Sequence, residues 1–275
     1  MSKISDTGSQ QDDLPELLRE GRGSGLPQRL TRSLLEAYLS DPSRKSELVV
    51  PLFDEVAPRY DRFTRLFSFG QDRSWKEWIV ERLVRLVPPG GVVLDLACGT
   101  ADLALGLARR RHDVMVVALD ASPRMLAMAR RRARAAGVAN VVLLQGDAAA
   151  LPFGPATFHA VSGGYALRNA PSWKDALGSI ARILRPGGRL LTLDFYLPTS
   201  RIWARLFLAY LRVAGGLVGW LWHRKPLVYG YIAHSLVRFT SAAEFAAELA
   251  RQGLVVEERA VHLGGAIALH RARKS

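Results

Sequence analysis

From residue 92 onward, short apolar runs alternate with longer stretches of helical periodicity. Val92–Leu96, Val114–Leu119 and Val141–Leu144 are apolar runs of the kind expected for buried parallel strands. Ala160–Ser162 falls in a fourth strand and Leu190–Phe195 is a fifth. Between them, Asp102–Arg111, Ser122–Ala136 and Lys174–Leu184 read as helices. The second has Ser122 as N-cap, Pro123 in its first turn and Gly137 just past its end. The third is stopped by Pro186-Gly187-Gly188. Ser241 and Glu244 form a capping box opening a helix over Ala242–Arg251, which Gly253 closes. Leu254–Val261 and Ala266–His270 form a last antiparallel pair. This alternation predicts an α/β protein with a doubly wound, mostly parallel, seven-stranded sheet.

Two further regions depart from the alternation. Upstream, Pro51–Tyr60 and Trp75–Leu86 read as helices bordering a loop rich in Phe and Arg. Residues 1–44 are rich in Ser, Gly, Gln, Asp and Pro and predict a flexible extension with one short apolar pattern, Leu30–Leu39. No basic region followed by an apolar run opens the chain, so no secretory signal is expected. The domain proper is expected over residues 45–275. Within it, residues 201–239 form an apolar insertion, read as a helical lid. Its run Leu206–Trp222 is 17 residues long, contains Arg212 and is broken at Gly215-Gly216. A membrane span needs about 20 apolar residues, so a lid is the better expectation. Trp203, Trp220 and Trp222 stand among Arg201, Arg205, Arg212, Arg224 and Lys225, a mixture suited to a membrane interface.

Composition narrows this picture only slightly. The 275 residues are 49% hydrophobic, enough for a substantial core. One cysteine excludes a disulfide scaffold. The net charge of +13 favours anionic partners, whether nucleic acid or anionic lipid. Arg109–Arg111 and Arg130–Arg132 with Arg134 place much of that charge on the first two crossover helices.

The candidate chemistry sits at strand ends. In VVLDLACGTADL, Val92–Leu103, a strand ends at Asp95, a turn follows at Gly99, and a helix begins. Ligands of such sheets bind beyond the carboxyl ends of the strands, where a glycine lets backbone approach closely. The next strand ends in Asp120, about 20 residues past the glycine, where an acid can accept both hydroxyls of a ribose. The third ends in Gly146-Asp147-Ala148, within reach of an adenine edge. Gly99 is followed by Ala101 and Leu103, so the dinucleotide GxGxxG is absent, as is any P-loop. The six histidines show no metal spacing, and CxxC, HExxH and GxSxG are missing, so no metal is expected. Cys98 reads as a small packed residue.

LDLACGTADL (Leu94–Leu103), GDAAALPF (Gly146–Phe153) and RILRPGGRLLTLDF (Arg182–Phe195) resemble the class I S-adenosylmethionine-dependent methyltransferases. VAPRYDRFTRLFSFGQDRSWK (Val56–Lys76) and ALRNAPSWKDAL (Ala166–Leu177) narrow the likeness to the ubiquinone/menaquinone biosynthesis C-methyltransferases, over roughly Phe53–Arg271. The resemblance implies a Rossmann-like fold and S-adenosylmethionine as cofactor. Thr100 and Asp120 would contact its methionine part and ribose, Asp147 and Ala148 its adenine. Asp95 would lie beneath the Gly99 turn near the amino group. The implied reaction methylates a ring carbon of a reduced prenyl quinone, such as demethylmenaquinol or a ubiquinone precursor. Another small hydrophobic or phenolic metabolite is the alternative. It is motivated by Thr64, Asp72 and Asp194 where the family usually has Asn, His and Glu. Ala101 and Gly164 also replace a usual Gly and Ser, and Tyr196 a frequent Ser.

For that reaction, Arg168 can stabilise a phenolate or polarise a water. Asn169 can orient substrate oxygens. Tyr60, with Asp61, resembles residues that close over the site. Asp102 is a candidate base, or a helix-start charge. The expected partners are a quinol-like small molecule and peripheral contact with a membrane surface, with no nucleic acid. The expected location is the cytoplasm, extending to the inner face of the membrane.

Overall fold

The computed structural model describes Leu26 and residues 30–275. Among the described residues, four α-helices precede the sheet: α1 (Arg32–Ser40), α2 (Pro42–Val56), α3 (Tyr60–Phe67) and α4 (Asp72–Leu86). The expected flexible extension therefore divides. Residues 1–25 and 27–29 lie outside the described residues, whereas α1 is ordered, with Leu34, Leu35 and Tyr38 buried. Thr31 caps it through Leu34 N–H. The helix expected to begin at Pro51 begins at Pro42 instead. Asp41 accepts Ser43 N–H there and Pro42 occupies the first turn. Pro51 lies inside the helix, where it lacks the N–H for the preceding turn.

Then follow β1 (Val92–Leu96), α5 (Asp102–Ala108), β2 (Met115–Asp120), α6 (Pro123–Ala136), β3 (Val141–Gln145), β4 (Phe158–Gly164), α7 (Trp173–Ile183) and β5 (Leu184–Phe195). After β5 come α8 (Arg201–His223), α9 (Leu227–Val237), α10 (Ala242–Arg251), β6 (Leu254–His262) and β7 (Ile267–Lys274). The sheet order is β3-β2-β1-β4-β5-β7-β6. The first five strands pair in parallel, and β7 is antiparallel to both β5 and β6. Winding reverses between β1 and β4, which opens a crevice beyond their carboxyl ends.

Strand side chains alternate between two cores. Val93, Val116, Ala118, Leu191 and Leu193 join α1–α6, α8 and α9 on one face. Leu94, Leu96, Leu119 and Leu190 join α7 and α10 on the other. Burial on both faces explains why β1 reads as a continuous apolar run. The edge strand β6 alternates buried or half-buried with exposed positions instead.

Two breaker signals act differently from expectation. Pro186-Gly187-Gly188 lies within β5. Gly187 has φ +74, and pairing with β4 shifts register between Phe158 and Ala160, so the signal bends a strand. Gly215-Gly216 does not break its helix, since α8 runs unbroken from Arg201 to His223. A Cβ on Gly215 would lie 3.0 Å from Tyr229 O, and one on Gly219 2.6 Å from Lys225 O and 2.9 Å from Pro226 O. These glycines let the backbone entering α9 press against α8. Because backbone atoms cannot swing aside, Gly219→Ala should cost about 1–3 kcal/mol. Urea unfolding measures this, and an unchanged midpoint would refute the close-approach account.

Candidate active site

The turn after β1 is tightly wound. Ala97, Gly99 and Ala101 all have positive φ (+50, +54 and +67), a region that costs a non-glycine residue about 1–2 kcal/mol. Hydrogen bonds hold it there. Cys98 N–H donates to Leu119 O (2.9 Å) and Ala101 N–H to Cys98 O (2.8 Å). Gly99 N–H donates to Asp120 Oδ2 at 2.7 Å, and Ser122 N–H to Asp120 Oδ1 at 2.8 Å. Burial pushes the Asp120 carboxyl up, against those backbone donors. Beneath the turn, Asp95 accepts Ala104 N–H (3.0 Å) and the Ser162 hydroxyl (3.1 Å). Burial raises Asp95 to about 7, despite Ser162 and Ala104.

Two cavities open on this turn, and a third adjoins them at Tyr60 and Tyr165. The first, about 680 Å³ and partly open to solvent, has Asp120, Gly146, Asp147 and Ala148 on one side. Ser46, Val49, Val50 and Phe53 of α2 form another wall. The second, about 340 Å³, is lined by Asp95, Gly99, Thr100 and Asp102. The third, about 430 Å³, is mainly apolar, with Val56, Phe63, Phe195, Val228 and Ile232 around Arg168 and Asn169. Tyr60 and Tyr165 line all three. The expected cofactor residues thus gather on the first two cavities, and three of the four expected catalytic residues on the third.

Asp102 is the exception. It does not line the apolar cavity and is held in ion pairs with Lys76 (2.8 Å) and Arg132. Burial opposes its charge, but Lys76 and Arg132 outweigh burial and hold its carboxyl below the usual range. An acid whose protonation two paired cations disfavour is a poor base, so its helix-start reading is the better one. Lys76 also pairs with Asp72 at 2.7 Å. Burial opposes the Lys76 ammonium, yet Asp102 and Asp72 raise its pKa well above the ordinary lysine value. Asp72 in turn accepts the Tyr165 hydroxyl at 2.9 Å. On the other side, Thr100 Oγ donates to Asp61 (2.8 Å) and accepts from Arg132 (2.7 Å).

The Leu167–Asn169 turn places the other candidates. Arg168 is buried, its Nε 3.5 Å from Asp194 Oδ1 and its Nη1 donating to Ser235. Its backbone N–H also donates to Asp194 Oδ2 at 3.1 Å. Asn169 has both ends of its amide engaged, donating to Tyr165 O (2.8 Å) and accepting from Tyr231 OH (3.0 Å). It orients two aromatic walls, which leaves less of its amide for substrate oxygens. Lys45 donates to Arg168 O (2.9 Å) and Ala170 O (2.7 Å), clasping the turn from α2. Sequence reasoning missed Lys45 and Tyr165. Tyr165 stands just before the Leu167-Arg168-Asn169 segment, a usable hint, but Lys45 carries no local signal.

A doubly wound sheet with an antiparallel last strand, and a nucleoside-sized cavity beyond its parallel strand ends, defines a class I methyltransferase. S-adenosylmethionine is the cofactor of that class. The donor set fits it: two buried carboxylates and the Gly99 turn line the two cavities that adjoin the apolar one. The chain belongs to the ubiE/COQ5 methyltransferase family, whose model matches residues 42–274. It is 37% identical over 219 residues to the demethylmenaquinone methyltransferase of Thermus thermophilus, covering 80% of this chain and 98% of that protein. It is 36% identical over 217 residues to the ubiquinone/menaquinone biosynthesis C-methyltransferase UbiE of Geobacter sulfurreducens, covering 77% and 82%. A solved SAM-dependent methyltransferase of Thermotoga maritima shares the fold with a TM-score of 0.57 at 19% identity, covering 82% of this chain and 100% of that one.

The paired charges beside the site have a measurable consequence. Lys76→Met leaves Asp72 and Asp102 without their shared cation. Breaking a buried pair from one side costs about 3–5 kcal/mol, and chemical denaturation should show a loss of that size. A loss under about 1 kcal/mol would mean that solvent screens the pairs.

Proposed function

We propose that this protein transfers a methyl group from S-adenosylmethionine to a ring carbon of a reduced prenyl quinone, such as demethylmenaquinol or a ubiquinone precursor. The observation that carries the reading is the junction at Tyr60 and Tyr165, where two cavities lined by the strand-end acids adjoin an apolar cavity holding a buried guanidinium. The names of the Thermus and Geobacter relatives support the substrate class.

When bound, the cofactor supplies an electrophilic methyl group on a sulfonium sulfur. Asp120 takes its ribose, Asp147 and Ala148 its adenine, and Asp95 and Thr100 its methionine part. Tyr60 and Tyr165 exclude water and align the acceptor ring with the methyl carbon, the geometry on which such a displacement depends. Arg168 stabilises negative charge on the phenolic oxygen. Its pairing with Asp194 keeps the guanidinium compensated inside an apolar wall. Labelled cofactor should transfer label to demethylmenaquinol. Label on a phenol without a quinol ring, and none on the quinol, would move the substrate to that other class.

Asp95 makes cofactor binding depend on pH. Its pKa of about 7 in the free protein lies above the usual carboxylate value. The ionised form attracts the methionine ammonium, so below that pKa binding must first displace a proton. Affinity should fall as pH drops from about 8 to about 6, by up to about tenfold per pH unit below the pKa. Calorimetric titration reads this limb, and Asp95→Asn should bind weakly without it. A limb that survives Asp95→Asn would shift the role to another acid.

The outer face of α8 supports membrane docking. Ile202, Leu206, Val213, Leu217 and Leu221 are each more than half exposed along that helix. Its other face is packed: Phe207, Leu211, Gly215, Val218 and Gly219 are buried. Although α8 is long and apolar enough to cross a membrane, one packed face fits a helix lying along a surface. Phe69, also exposed, stacks on Tyr210 of α8 at 5.8 Å and widens the patch beside Arg201, Arg205 and Arg212. We infer peripheral binding at the anionic inner face of the membrane, which suits a lipid-soluble acceptor. Flotation with anionic vesicles should carry the protein upward, and Leu206→Glu with Leu217→Glu should abolish it. Equal flotation of that variant would disprove the face.

A further inference from the structure

We infer that the Tyr165 hydroxyl and Asp72 form the path by which the substrate's phenolic proton leaves the apolar cavity. This deepens the quinol reading above and rests on it. Tyr165 lines that cavity and both cofactor cavities. It is held in an unfavourable backbone conformation, φ +60, for which a bulky aromatic is a marked outlier. Its N–H donates to Leu193 O at 2.6 Å, and its ring packs on Phe195 at 5.3 Å. Strain of this kind persists only where the surroundings over-determine it, and it gathers at functional positions.

The strained ring delivers its hydroxyl to Asp72 Oδ1 at 2.9 Å, while Asp72 Oδ2 lies 2.7 Å from Lys76. On their far side, Asp72 and Lys76 line a wide polar cleft of about 1120 Å³, much of it open solvent, with Asp61, Arg73 and Arg132. A hydrogen-bonded line therefore runs from the apolar cavity through Tyr165 and Asp72 to water. Asp72 is faced by Lys76 from its own helix, by Tyr165 from the end of β4 and by Tyr60 from α3. Asp102 reaches it through Lys76, and Asp194 faces Tyr165 from β5.

The phenolic oxygen gives its proton to the Tyr165 oxygen as Tyr165 gives its own proton to Asp72. The electron pair left on the phenolic oxygen pushes through the ring, whose carbon forms the new bond to the methyl carbon. The methyl–sulfur bond breaks with its pair remaining on sulfur, leaving a thioether. The dienone so formed then tautomerises: the ring-carbon hydrogen passes as a proton through the Tyr165 hydroxyl to the ketone oxygen, and the C–H bonding pair restores the aromatic ring. Asp72 releases the first proton to the cleft, so one proton leaves per methyl transferred. No oxidant or further reactant is needed.

The test uses the full-length protein, demethylmenaquinol and saturating cofactor in single-turnover reactions in H₂O and D₂O. Wild-type protein should be slower in D₂O. Tyr165→Phe removes only the hydroxyl and should cut the rate about 10²-fold, abolish the solvent isotope effect and leave cofactor affinity unchanged. Asp72→Asn still accepts the Tyr165 hydrogen bond but takes no proton, and should show the same loss. The double variant should be no slower than either single one, because both remove one path. Wild-type rate in Tyr165→Phe, a retained isotope effect, or losses that multiply would overturn the relay. If Tyr165→Phe fails to fold, Asp72→Asn carries the same comparison. Wild-type protein that binds cofactor but methylates no quinol would instead defeat the substrate reading.

Discussion

The site depends first on one hydrogen bond, from Gly99 N–H to the Asp120 carboxylate at 2.7 Å. It ties the turn after β1 to the end of its parallel neighbour β2. Three left-handed residues within five positions would not keep their shape unaided. With the turn fixed, Asp95 lies beneath it, the N-terminus of α5 is aimed, and Asp102 meets Lys76. The cofactor cavities and the charged wall beside them are thus set by the same short stretch of backbone.

That wall is a chain of compensated charges. Tyr165, Asp72, Lys76, Asp102 and Arg132 follow one another by direct contact, ending at Asp61 and Thr100. Replacing such pairs with apolar residues often stabilises a protein, so their retention needs a reason other than stability. Position is one such reason: each member fixes the next, and the ends of the chain face different cavities. Arg168 and Asp194 repeat the device on the apolar side.

Much of this was legible in the amino-acid order, because strands and caps write local patterns. The five apolar runs from Val92 to Phe195 all fall in strands, the last of them longer than read, and the Ser122 cap and the Ser241–Glu244 box appear as read. The strand-end acids stand together for the same reason, since a parallel sheet brings successive strand ends to one edge. What stayed hidden was non-local. Lys45 meets a turn more than a hundred residues away, and Asp72 meets Tyr165 across a comparable gap. Pro51 signalled a start where the stronger cap at Asp41 had already begun the helix. Gly215 looked like a breaker because periodicity does not show the backbone packed against it. Asp102 had the right chemistry for a base, but its two cations come from α4 and α6.

The Lys45 clasp ties a wall of the first cavity to a wall of the third. Residues of α2 wall the first cavity while Lys45, four residues into that helix, grips both flanks of the Arg168–Asn169 turn. Burial and the neighbouring Arg168 pull its ammonium down to about 8, against Asp194, so the grip is made by a group that water would rather hold. Because α2 walls the first cavity and also holds this turn, a shift of α2 would be felt at both.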